Sequence, residues 1–152
     1  MTTALDTGLS AAHAEVKAEI ARTDTKTGLL LAFIGAVLAG VGTLAKDVHP
    51  HLPAAAAVAG GAGVGLLIGA AGLLLRAVRP NLGGGGGFPH WARLTPSEIS
   101  AELEQDRRAQ DIAALSRIAV AKYRRLRRAV DLVCVGGVLL IAAAVIAAGV
   151  GA

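Results

Sequence analysis

The stretch "EIARTDTKTGLLLAFIGAVLAG", residues 19 to 40, decides the fold. A charged, helix-competent run ends at Lys26, and no further charge appears until Lys46. The apolar part of that gap, "GLLLAFIGAVLAGVGTLA", residues 28 to 45, rises roughly 27 Å as a helix, close to the thickness of a bilayer's hydrocarbon core. Two further blocks have the same character. Residues 54 to 75 read "AAAAVAGGAGVGLLIGAAGLLL", and from Leu132 to the C-terminus the chain reads "LVCVGGVLLIAAAVIAAGVGA" without a charge. The 152 residues are 54% hydrophobic but only 3% aromatic. A soluble core of this size would normally use Phe, Tyr and Trp as large fillers. Concentrated Ala, Val, Leu, Ile and Gly instead predict three transmembrane helices.

A cleaved signal peptide is disfavoured, because 27 residues with four acids (Asp6, Glu15, Glu19, Asp24) precede the first apolar block. The predicted organisation is a cytoplasmic N-terminal helix (1–27), transmembrane helix 1 (28–45), an external linker (46–53), transmembrane helix 2 (54–75), a Gly/Pro-rich cytoplasmic linker (76–95), a cytoplasmic amphipathic helix (96–128) and transmembrane helix 3 (129–152). The fold class is thus an all-α integral membrane protein with three transmembrane helices and a cytoplasmic two-helix stalk.

Charge sets the expected orientation. Residues 76 to 128 carry eleven Lys or Arg against five Asp or Glu, a net of 11 − 5 = +6, while "KDVHPHLP" between the first two blocks has one Lys and one Asp. The positive-inside rule then places the long segment and the N-terminus in the cytoplasm. The formal charge of +4 and pI near 9.8 describe one face of a membrane protein. Topology together with attraction to anionic lipid is the plainest account of that face. Nucleic-acid binding would need aromatic platforms or a groove-reading element, and this region has few aromatics, Trp91 and Tyr123 among them.

In "RPNLGGGGGFPHWARLTPSEIS", five consecutive glycines lack the Lys and Ser/Thr at fixed offsets that a phosphate loop requires, so they read as a linker. Thr95, Pro96 and Glu98 then fall at the N-cap, first and third positions of a helix, a capping box. From Ser97 there is no Pro or Gly until Gly136. A helix running through Asp131 into the third span is expected, as one long element or with a slight bend at the membrane surface. Ile99, Leu103, Ile112, Leu115, Ala119 and Tyr123 recur at helical spacing and predict an apolar stripe. Arg107, Arg108, Arg124 and Arg125 face elsewhere. The N-terminal segment, with Leu9, Val16 and Ile20, is the expected partner of that stripe, the two forming the stalk.

Chemistry-bearing constellations are sparse. Cys134 lies within the third span and reads as a small packing residue. His49 and His51 would be a weak two-ligand metal site with no third ligand near, so no metal is expected. Glu102, Glu104 and Asp106 balance neighbouring arginines, and no nucleophile motif is present. The chain is expected not to be an enzyme. The spans do carry small residues at four-residue intervals, Ala32, Ala36 and Gly40 in the first and Gly61, Gly65 and Gly69 in the second. This spacing lets helix backbones approach closely, either within one chain or between chains. No span carries an ionisable group at its midplane, which argues against an ion-coupled transporter.

The junction around Asp24, Lys26, Leu30 and Leu31, and the run "LSRIAVAKYRRLRRAVDL" with Leu115, Ser116, Ile118, Lys122, Tyr123, Leu126 and Arg127, resemble the small transmembrane effectors of the Pycsar anti-phage systems. That resemblance implies an effector in the bacterial inner membrane. It implies activation by a cyclic pyrimidine nucleotide, cUMP or cCMP, made by a partner pyrimidine cyclase, and loss of inner-membrane integrity in response. A cyclic mononucleotide carries one negative charge, and guanidiniums suit it. Arg22, Asp24, Lys26, Arg117, Lys122, Tyr123 and Arg124 are the candidate ligand-binding residues, with Tyr123 available to stack on a base. Lipid bilayer and further copies of the chain are the expected physical partners, and no cofactor beyond the nucleotide is implied. A membrane scaffold or accessory subunit of a larger complex is the alternative.

Overall fold

The computed structural model describes residues 2–48, 52–79, 88–104 and 106–150. His49, Pro50, His51 and the glycine run 83–87 lie outside them, and with them the expected loop and linker geometry. The described residues are helical, with no strand among them. The elements are α1 (Thr2–Val48), α2 (Ala54–Val78), α3 (Phe88–Trp91), α4 (Pro96–Leu103) and α5 (Arg108–Val150). Three of them, α1, α2 and α5, are long and apolar enough to cross a membrane.

Their boundaries follow from local chemistry. α1 ends at Val48, two residues before Pro50 in the sequence. α2 starts after Pro53, whose carbonyl accepts the Ala57 N–H at 3.0 Å. α4 opens with the expected capping box: the Thr95 side chain accepts from the Glu98 N–H, and the Glu98 carboxylate accepts from the Thr95 N–H at 2.8 Å. The expectation of a helix continuing from Ser97 into the third span is corrected here. α4 ends at Leu103 and α5 begins at Arg108. Asp106 is the physical reason: its carboxylate accepts the backbone N–H of Arg108 at 3.2 Å, a local bond that starts a new helix instead of continuing the old one.

The chain divides into two compact units. One comprises Met1–Thr23 and Arg79–Lys122, the other Asp24–Val78 and Tyr123–Ala152.

In the second unit α2 lies antiparallel to α5. Gly60 faces Ala143, Gly63 faces Gly136 and Leu140, and Gly136 also meets Leu66 and Leu67. Ile34, Leu67, Ala70, Leu74 and Ala129 form the core, flanked by Leu30, Leu31, Val37, Leu126 and Leu140. The buried residues of α2 are Ala56, Gly63, Leu67, Ala70, Leu74 and Ala77. They recur at alternating three- and four-residue steps from Gly63 onward, the seam of closely packed helices.

In the first unit the α1 and α5 segments are tied by Arg108, which turns onto α1 and does not face away as expected. Its guanidinium donates to Asp6 and, at 2.7 Å, to Ser10 Oγ. Leu9, Val16 and Ile20 of α1 and Ile112, Leu115 and Ala119 of α5 are half-buried, whereas Tyr123, expected on the same stripe, is exposed.

Candidate functional site

α1 carries the junction residues on one run of helix. In the first unit, Arg22 is exposed and pairs with Glu19 Oε2 at 3.3 Å. One step on, Thr23 is buried and donates its hydroxyl to the Glu19 carbonyl at 2.9 Å. In the second unit Asp24 is half-buried and Lys26 exposed, while Thr27 is buried at 2% exposure. Thr23 and Thr27, one turn apart, are the two buried polar residues among those described. Sequence reasoning passes over them in favour of their charged neighbours, although a Thr pair at i and i+4 amid charges is the signal that would find them.

On α5, Arg117 is exposed and Lys122 half-buried in the first unit. In the second unit Tyr123 is 40% exposed and Arg124 exposed. The seven candidate ligand residues thus divide between the units, Arg22, Arg117 and Lys122 in one and Asp24, Lys26, Tyr123 and Arg124 in the other.

Most of the charge in the second unit is gathered at one end. Lys26 precedes the apolar part of α1, Arg76 follows that of α2, and Arg124, Arg125, Arg127 and Arg128 precede that of α5. Arg125 Nη1 donates to the Arg76 carbonyl at 3.4 Å, which puts the α2 and α5 members at one level. That carbonyl lies in the last turn of α2, where helix carbonyls lack partners within the helix and attract cations.

A second polar cluster lies in the first unit. His90 Nε2 is 3.1 Å from Glu102 Oε2, and Arg107 Nη1 is 3.3 Å from Glu102 Oε1. Asp106 takes both the Nε and Nη2 of Arg108 at 2.9 Å, and these bonds hold its carboxyl below the ordinary range. The backbone N–H of Thr95, then its hydroxyl, does the same for Glu98. Among the described residues no group of three or more His, Cys, Asp or Glu is gathered as metal ligands would be.

The six small residues expected at helix contacts, Ala32, Ala36, Gly40, Gly61, Gly65 and Gly69, are all exposed within the chain. A Cβ placed on any of those four glycines would meet nothing within 4 Å. Close approach occurs at Gly63 and Gly136 instead. A Cβ on Gly63 would meet the Gly136 carbonyl oxygen and Leu140 Cγ, both at 2.9 Å.

Three helices long and apolar enough to cross a membrane, with cations clustered at one end of the packed spans, define a multi-pass membrane protein that is helical among the described residues. A family model described as the Pycsar effector protein domain matches residues 8–149, nearly the whole chain, and the chain belongs to that family. No curated protein and no solved structure matched it.

Proposed function

We propose that this protein is the membrane effector of a bacterial anti-phage defence system, responding to cUMP or cCMP by disrupting the integrity of the inner membrane. The observation that carries the reading is the family match over residues 8–149. Three helices long and apolar enough to cross a membrane support the site of action. The protein is not itself an enzyme; a pyrimidine nucleotide cyclase acts through its product. The basic end of the second unit faces the cytoplasm under the positive-inside rule, so the N-terminus is cytoplasmic and the first unit forms a cytoplasmic stalk.

The candidates for the nucleotide's phosphate are Arg22, Arg117 and Lys122 in the first unit and Lys26 and Arg124 in the second, with Tyr123 the candidate for the base and Asp24 the junction residue beside Lys26. A guanidinium matches a phosphate diester with two parallel N–H donors, and Tyr presents an apolar face with a polar tip. Copies of the chain associate, because a three-helix protein alone is small for perforating a bilayer. The outward faces bearing Ala32, Ala36 and Gly40 and Gly61, Gly65 and Gly69 would allow such close association.

The test is to expose cells expressing the protein to cUMP or cCMP and follow membrane potential with a dye. Depolarisation beyond that of cells lacking the protein is the expected result. Identical traces with both nucleotides would remove the reading's main support. Asp24→Ala is expected to insert normally yet change the triggered response. An unchanged dye trace in that variant would reduce Asp24 to part of a plain membrane boundary.

A further inference from the structure

On α5 of the second unit, Leu126 packs against the core and Ala129 is fully buried within it. At 3.6 residues per turn these two define the inward face, and Arg127, Arg124, Arg128 and Arg125 spread over roughly 160° of the outward arc. All four are exposed. They are followed within a turn by the uncharged block from Leu132. Arg76 joins them from the last turn of α2, exposed and level with Arg125 through the bond to its own carbonyl. Lys26 stands two residues before the apolar block of α1. Since α1 and α2 are joined by the short segment 49–53 at the far end of the spans, Lys26 belongs to the same end as Arg76.

The two ends of the spans therefore differ sharply in charge. One holds Lys26, Arg76, Arg124, Arg125, Arg127 and Arg128 with Asp24 and Asp131, a net of 6 − 2 = +4. The other holds Lys46 and Asp47, a net of 1 − 1 = 0. Asp131 shares the outward arc one turn beyond Arg127 and Arg128, on the side of the spans, so the arginines are left to the headgroup level above it. A ring of exposed guanidiniums where apolar helices meet the headgroup layer is complementary to phosphate groups that carry no compensating ammonium.

We infer that Arg124, Arg125, Arg127, Arg128 and Arg76 form a collar that binds the headgroups of anionic phospholipids, selecting them over zwitterionic ones at this end of the protein alone. Arg125 is partly engaged in helix packing through the Arg76 carbonyl, so Arg124, Arg127 and Arg128 carry the selectivity. Removing the charge of all three should lower the relative affinity at least about fivefold.

The experiment reconstitutes the full chain into vesicles of phosphatidylcholine and measures the association of spin-labelled phosphatidylglycerol relative to spin-labelled phosphatidylcholine by electron paramagnetic resonance. No nucleotide is added. A failure here leaves the effector reading untouched, and a failure of nucleotide response leaves this measurement untouched. The expected result is a preference for phosphatidylglycerol that falls at least fivefold in the triple variant Arg124→Gln, Arg127→Gln, Arg128→Gln. It should persist in Lys46→Gln at the opposite end. The triple Arg→Lys variant should retain most of the preference while keeping its helix content by circular dichroism. The inference is overturned by no preference in the parent protein, by equal loss in Lys46→Gln, or by a preference that survives the Gln triple. Displacement by inorganic phosphate at matched ionic strength would also overturn it, because the collar would then be a site for a small soluble anion rather than for lipid.

Discussion

The two units are held by different physics. In the second, α2 and α5 approach until a single added Cβ at Gly63 would collide with the Gly136 backbone oxygen. In the first, α1 and α5 are joined through Arg108, which bonds Asp6, Ser10 and Asp106. The contrast is what two different solvents would produce. Between helices in lipid there is no hydrophobic drive to associate, so contact depends on small residues that let backbones and side chains interlock. At a water-exposed surface, ion pairs and capping bonds can fix geometry, but each is screened and individually weak.

The sharpest way to break this contrast is to enlarge one glycine of the seam. Gly63→Leu should destabilise the second unit by about 3 kcal/mol, the upper end of overpacking costs, because the obstruction includes backbone that has no rotamer to yield. Gly65→Leu, two residues along the same helix with open space at its Cβ, should change little. Unfolding of both variants by sodium dodecyl sulfate in mixed micelles, read by circular dichroism, checks the pair. Equal stabilities would mean that the seam is not what holds the spans.

A smaller, local effect is expected at the clasp. Arg108→Met keeps the aliphatic reach but removes every side-chain bond to Asp6, Ser10 and Asp106, leaving only the backbone N–H bond to Asp106. Amide hydrogen exchange should then rise near the starts of α1 and α5, with no change in the exchange of residues 60 to 75. Added salt should produce part of the same loosening in the parent protein, since the bonds are charge-assisted and exposed.

At the start of α4, Thr95→Ala removes the cap and should cost about 1 kcal/mol of local helix stability, seen as faster exchange confined to residues 96 to 103. The least effect is that of acid. Glu98 and Asp106 have carboxyls held below their ordinary values of 4.5 and 3.8 by bonds made in the folded state. The unfolded chain therefore takes up protons first as pH falls. The stabilisation is present above those ordinary values and is lost as pH drops through them toward the folded ones. Exchange at the starts of α4 and α5 should quicken on acidification while the seam residues stay protected. A seam that loosened in parallel would join the two units into one acid response.

Much of this is readable in the residues. The three spans are visible because uncharged blocks of bilayer length leave little alternative, and the α4 start because Thr95, Pro96 and Glu98 are local in sequence. The seam is not, since α2 is apolar on every side and has no polar face to say which glycines turn inward. The four-residue repeat of Gly61, Gly65 and Gly69 therefore points to an outward face, while Gly63 makes the contact. The break before Arg108 is hidden by a charged tract that reads as good helix, where one Asp side chain chooses a local backbone bond. Arg108 and Asp6 lie 102 residues apart, so no spacing could pair them. At the candidate site, the charged residues of the junction are legible, but buried Thr23 and Thr27 beside them carry no charge to mark them.

The proposed activity is that this chain, given a cyclic pyrimidine nucleotide, breaches a bilayer. Its most direct test is dye release from sealed vesicles containing the purified protein and nothing else. Release on adding cUMP or cCMP, with none on adding the linear monophosphates, is the predicted result. Vesicles with inserted, helical protein that stay sealed in the presence of both cyclic nucleotides would contradict the account.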